Sequence, residues 1–169
     1  GDRIKSLPSG TESTVERIVT YDGDLDMAHA GQSVTITLND EIDVSRGDVL
    51  VAGADPCGVA DQFQATLLWM SDKPMYPSRP YLMKMGAREA TVTPSKLKHK
   101  INVNTLAKEP SKSLGLNEIG VCNISIDRDI AFDPYVDSRA TGGFILIDRM
   151  TNNTVGLGLL DFALRRASN

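Results

Sequence analysis

The stretch "RATGGFILIDRMTNNTVGLGLLDF", residues 139–162, decides the fold. Residues 144–147 form a short, β-branch-rich apolar run, residues 148–154 are polar, and residues 155–160 are apolar again. Two such runs around a short polar segment predict a β-hairpin. The Asn152-Asn153 pair suits the left-handed backbone of a turn. Gly156 and Gly158 fall on one face of the second strand, because side chains alternate with period two. Side chains missing from one face point to close backbone approach or strong curvature, as at a barrel corner. A phosphate loop would need Gly-x-x-x-x-Gly-Lys-Ser/Thr, and a dinucleotide turn Gly-x-Gly-x-x-Gly opening a helix. Neither occurs, so these glycines read as architecture.

The same grammar extends outward. Short apolar or alternating segments recur at residues 4–7, 15–20, 34–38 ("VTITL"), 49–51, 62–70 ("QFQATLLWM"), 81–85, 90–101 and 119–126. Turn signals such as Pro8-Ser9-Gly10 separate them. The best helix candidate, residues 25–30, is too short to stand alone. The expectation is an all-β chain of barrels or sandwiches. "GADPCG", residues 53–58, is the one plausible linker. It divides the chain into residues 1–55, thin for a domain, and residues 56–164.

Of the 169 residues, 41% are apolar, enough for a core, and the net charge of −4 with a pI near 5.1 argues against nucleic acid held by overall charge. No apolar run reaches the roughly 18 residues of a membrane-spanning helix. Cys57 and Cys122 lack metal or redox spacing and suit a reduced, cytoplasmic setting.

Few constellations could hold chemistry. "DGDLD", residues 22–26, opens like a calcium loop, but Met27 and Ser33 stand where glycine and glutamate belong. It reads as a solvated turn. "KLKHK", residues 96–100, reads as a solvent-facing strand whose lysines guard an edge, with His99 packed inside. His29 and His99 form no catalytic or metal pattern. Glu118 is a lone acid, and acid–base work needs a matched partner. "DPYVDSRATGG", residues 133–143, is longer than its flanking strands require. Its Asp133, Tyr135, Asp137, Arg139 and Thr141 form a candidate interface.

The first strands, with "AHAGQSVTITL" and "SRGDVLV", resemble the second domain of translation-factor-type GTPases. "TYDGDLDMAHAGQSVTITLNDEIDVSRGD", "WMSDKPM", "INVNTL" and "LGLNEIGVCNISIDRDIAFDPYVDSRATGGFILIDRMTNNTVG" resemble, more closely, the GTPase subunit of bacterial sulfate adenylyltransferase. The resemblance implies two elongation factor Tu-like β-barrels, the first truncated, at residues 1–55 and 56–164. It implies a parent enzyme that makes adenylylsulfate and pyrophosphate from ATP and sulfate, driven by GTP hydrolysis. The partners implied are a small catalytic subunit and an N-terminal GTPase domain. "DFALRRASN" resembles the junction at which bifunctional members continue into an adenylylsulfate kinase domain, so residues 165–169 are expected to start a linker. GTP, ATP and magnesium belong to that parent. This stretch has no Asn-Lys-x-Asp motif either, and is expected to hold no catalytic, cofactor or metal residue. Its expected role is interdomain and subunit contact. The alternative is a tRNA-binding barrel pair of a translation factor.

Overall fold

The structure, a computed structural model, describes residues 1–54 and 57–165. The chain divides into two compact units, Gly1–Cys57 and Gly58–Asn169. Of the expected linker at residues 165–169, all but Arg165 lies outside the described residues.

The first unit contains β1 (Arg3–Leu7), β2 (Thr11–Thr20), β3 (Gly23–Leu25), β4 (Thr35–Leu38) and β5 (Val49–Ala52). They form one open sheet in the order β3-β2-β1-β5, with β4 also on β2. It is a half-barrel. Leu7 is its one buried apolar side chain among the described residues, whereas Ile36 and Leu50 remain 38% and 36% exposed. The "DGDLD" stretch, read as a turn, contributes β3. Asp24 there receives both Nε and Nη2 of Arg17, at 2.7 and 2.8 Å.

The second unit contains β6 (Gly58–Trp69), β7 (Tyr81–Met85), β8 (Arg88–Ile101), β9 (Lys108–Glu109), β10 (Ile119–Phe132), the single turn α1 (Arg139–Gly142), β11 (Gly143–Ile147) and β12 (Thr154–Ala163). The antiparallel order β10-β6-β12-β11-β7-β8 is closed by pairing of β10 with β8, which makes a six-stranded barrel with β9 appended. The expected closing hairpin is β11–β12, and Asn152 takes the left-handed conformation, φ +57°.

Alternation places Phe63, Ala65, Leu67 and Trp69 of β6 inside, with Tyr81, Met83 and Met85 of β7. Phe63 meets Phe132 edge-on at 4.7 Å between ring centroids, and Trp69 meets Tyr81 at 5.4 Å. Phe144 is paired with Gly158, and a Cβ built on Gly158 would lie 2.1 Å from the Phe144 ring. One on Gly156 would meet the Trp69 ring at 3.2 Å. The two glycines are thus the space that two inward aromatic rings occupy.

The "KLKHK" segment departs from its expected pattern. Register shifts against β10 fall between Val121 and Cys122 and between Asn123 and Ile124, so strict alternation fails. Leu97 is buried, but His99 is only half-buried and lies outside the core. Lys96–Lys100 is bonded to β10 within the closed barrel, so the lysines do not simply guard an edge. Lys100 binds Glu118 at 2.9 Å, and Lys98 reaches over β10 to Gln64 at 2.6 Å. Gln64 and Thr66 in turn donate to Asp161 on β12, at 3.1 and 3.2 Å. A polar rail therefore crosses the outside of the barrel.

Two outcomes follow. Gly158→Ala should destabilise the second unit by about 1–3 kcal/mol through overpacking. Pairing it with Phe144→Leu should cost less than the sum of the two single changes, since the two positions share one space; urea unfolding of the four variants measures this. Hydrogen exchange should find its slowest amides between β6 and β12. Equal protection of β1–β5 would contradict the reading of the first unit as a poorly filled half-barrel.

Candidate docking surface

Residues 133–142 connect the end of β10 to the start of β11. The connection is folded onto itself. Thr141 Oγ1 donates to Asp133 Oδ2 at 2.7 Å, and the Asp133 N–H donates to the Thr141 carbonyl at 3.3 Å. The Asp137 and Ser138 N–H groups both donate to the Pro134 carbonyl, a turn that precedes α1. Tyr135 is tied to the barrel by its N–H, which donates to the Leu160 carbonyl at 2.9 Å. Gly142 is buried so closely that a Cβ there would lie 2.5 Å from the backbone N and Cα of Tyr135. A side chain at position 142 would have to push the main chain away, so glycine is required for this approach.

The five residues expected to form an interface thus separate into two sets. Asp133 and Thr141 bind each other, and Tyr135 is half-buried with its ring beside Gly143. Asp137 and Arg139 are exposed and make no ion pair among the described residues. Next to Asp137 stands Val136, 89% exposed. Sequence reasoning passed over it. The signal was a valine inside a polar stretch too short to alternate.

Arg139 also borders a shallow hollow of about 430 Å³ on the outer barrel wall, with Lys84, Ile145, Leu157 and Leu159. Ile145 is paired with both Leu157 and Lys84, which sets an apolar strip across β7, β11 and β12. Lys84 is half-exposed and bound to Glu89 at 3.0 Å. Aliphatic side chains with a free arginine at their border are what a protein interface uses.

Two further acids of the barrel, Glu118 and Asp148, act as staples. Glu118 accepts from the Gly115 N–H at 2.8 Å and from Lys100, and these donors hold its carboxyl below the usual range. Asp148 is buried, accepts from the Met150 and Thr151 N–H groups at 2.8 and 3.2 Å, and pairs with Arg79. Its pKa is lowered, first by the Met150 N–H and then by Thr151 and the positive charges of Arg79 and Lys73. Burial pushes the Cys122 thiol up to about 11, which makes it a poor nucleophile. No group of metal-ligating side chains is assembled among the described residues.

A family model for the GTP-eEF1A C-terminal domain-like family matches residues 62–161, the barrel just described. The chain belongs to that family. Relatives similar over the whole chain include the bifunctional enzyme NodQ of Rhizobium meliloti, 51% identical over 170 residues, and the bifunctional enzyme CysN/CysC of Xylella fastidiosa, 48% identical over 169 residues. Sulfate adenylyltransferase subunit 1 of Aliivibrio fischeri is 47% identical over 160 residues, 95% of this chain. The chain spans only 26% and 27% of the two bifunctional relatives and 34% of the third. Among solved structures, sup35 complexed with GDP matches 96% of this chain and 40% of its own with a TM-score of 0.87 and 18% identity, a likeness of fold. The family is therefore the expected one, with translation-factor-type barrels. The relatives do not favour the tRNA-binding alternative. No helix among the described residues is long and apolar enough to cross a membrane.

The depressed pKa of Asp148 gives a directional expectation. Its contribution is present above its unfolded value, near pH 4, and is lost as pH falls through the lower folded value. Asp148→Asn should therefore cost about 1–3 kcal/mol at pH 7, as for hydrogen bonds to a charged group. The gap between the variants should close in acid; urea unfolding of both across the pH range reads it. A gap that widened in acid would contradict the assignment.

Proposed function

We propose that this chain is the barrel region of a GTP-dependent sulfate adenylyltransferase subunit and serves interdomain and subunit contacts without catalytic groups of its own. The parent reaction converts ATP and sulfate to adenylylsulfate and pyrophosphate, driven by GTP hydrolysis, in sulfate assimilation. GTP, ATP and magnesium act outside this chain, which contains no phosphate loop. The partners are the small catalytic subunit, an N-terminal GTPase domain and, in bifunctional forms, an adenylylsulfate kinase domain. Cys122 is buried as a thiol in the barrel core, which suits a reduced, cytoplasmic setting.

The observation that carries the contact role is the shelf of Val136, Asp137 and Arg139. It is exposed, yet its footing is rigid, because Gly142 is pressed on Tyr135 and Tyr135 is bonded to Leu160. A preorganised loop loses little freedom on binding. The surface comprises this shelf and the Ile145–Leu157 strip beside it.

The test is Val136→Asp with Arg139→Ala in the full-length subunit. Assembly with the small subunit, or coupling of GTP hydrolysis to adenylylsulfate synthesis, should weaken by about 2 kcal/mol or more, as at interface hot spots. Surface changes of this kind usually shift stability by no more than about 0.5 kcal/mol, so melting of the barrel should hardly move. Normal assembly and coupling would reduce the loop to an ordered connection. The isolated chain should give no saturable heat with GTP or ATP plus magnesium in calorimetry. A clear binding isotherm would overturn the non-catalytic reading.

A further inference from the structure

Between β8 and β9 the chain leaves the barrel wall in a turn, residues 102–107, which includes most of the "INVNTL" stretch. Asn102 ties this turn together with every polar group it has. Its N–H donates to the Ala107 carbonyl at 2.9 Å, and its carbonyl accepts from the Leu106 N–H at 2.8 Å. Its side-chain oxygen accepts from the Asn104 and Thr105 N–H groups at 3.0 and 3.1 Å, and its side-chain amide donates to Glu109 at 2.9 Å. The Ala107 N–H donates to Thr105 Oγ1 at 3.3 Å. The turn therefore has a fixed shape.

On this frame stand two large apolar side chains. Val103 is 60% exposed and Leu106 77%, the most exposed leucine among the described residues. Leu106 also has a φ of +59°. Left-handed backbone suits glycine and asparagine, whereas a branched side chain there is strained. The other described non-glycine residues with positive φ are Ser78, Asn117 and Asn152, all small and polar. Leu106 is thus unfavourable twice, as apolar surface in water and as strained backbone, with little packing to offset either. Positions that break a local rule without compensation inside the fold are expected at functional sites.

The charges around the turn are one-sided. Both acids of residues 100–118, Glu109 and Glu118, are engaged. Lys100 lies 2.9 Å from Glu118 and 3.9 Å from Glu109, and Asn102 and the Gly115 N–H donate to the same two carboxylates. Lys108, next to the turn, and Lys112 are exposed and make no ion pair among the described residues. The free charge beside the apolar tip is therefore positive. A membrane of anionic headgroups would be repelled by the chain's net charge of −4, so these observations favour a protein.

We propose that the β8–β9 turn is an anchor: Leu106 and Val103 enter an apolar socket on another protein chain, and carboxylates on the socket's rim pair with Lys108, with Lys112 adding attraction. In the assembly proposed above that chain is the small catalytic subunit, an assignment that rests on the functional reading. Burial of the leucine offsets its strain, and the locked turn loses little freedom on docking.

The test uses the full-length subunit and the small subunit, with affinity measured by calorimetry at low and high salt. Leu106→Asn should weaken assembly about tenfold or more, as removal of a buried anchor does. In the 169-residue chain the same change should raise the melting temperature by about 1–4 °C, because asparagine suits the left-handed backbone. A leucine that served only the fold would do the reverse, so a lower melting temperature with unchanged affinity would overturn the proposal. Lys108→Glu should weaken assembly about threefold or more at low salt, and the difference should shrink at about 0.5 M salt. A photoreactive side chain placed by Val103→p-benzoylphenylalanine should crosslink to the small subunit. Unchanged affinity in Leu106→Asn, beside weakened assembly of the Val136→Asp, Arg139→Ala variant, would overturn this proposal alone. Failure of the unaltered subunit to assemble would overturn the functional reading and the proposal with it. Crosslinking of position 103 only within its own chain would give the tip to a neighbouring domain instead. Binding to phosphatidylserine vesicles that Leu106→Asn abolishes would give it to a membrane.

Discussion

Phe144 lies against a strand that lacks two side chains, and barrel closure depends on that fit. A ring of six strands has a narrow interior, and every inward position must be filled without overfilling. Here Phe63, Phe132, Phe144, Trp69 and Tyr81 all point inward. So many rings fit only if facing positions are small, and Gly156, Gly158, Ala65 and Ala90 supply them. Closure then removes the open edges that a β-sheet otherwise presents to other chains.

The two ends are built by the same device, a polar side chain that stands in for regular backbone pairing. Asp148 caps the β11–β12 turn through two N–H groups. Glu118 holds the turn before β10 through the Gly115 N–H, and Thr141 closes the loop after β10 onto Asp133. Each bond spans a short irregular segment and fixes it over a packed core. The loops are therefore surfaces of definite shape, which is what recognition without a large ordering cost requires.

Period-two reading of single strands recovered most of the barrel, because a side chain's face follows from its position along a strand. It placed β7 at residues 81–85, and the hairpin with its left-handed Asn152, correctly. It failed where alternation itself breaks. The shifts opposite Cys122 and Ile124 moved His99 out of the core and tied the lysines into a rail with Glu118, Gln64 and Asp161. No local pattern encodes that rail, since its members are brought together only by barrel closure. The docking loop was visible as excess length and polarity. Its division into a structural pair, Asp133 with Thr141, and an exposed shelf around Val136 depends on Gly142 pressing on Tyr135, a contact between residues whose role only the folded chain defines.

The ionisation pattern of the chain bears on what the barrel can do. Each carboxyl whose pKa is displaced is displaced downward: Glu12, Asp24, Glu118, Asp127 and Asp148. The lowering comes in every case from donors or cations, and in Glu118 and Asp148 chiefly from a backbone N–H. General acid–base work calls for the opposite, a carboxyl raised toward the working pH by burial or by a like charge. The one large displacement, at Cys122, leaves a protonated thiol that is 0% exposed inside the core. Carboxylates so held are fixed anions that shape loops.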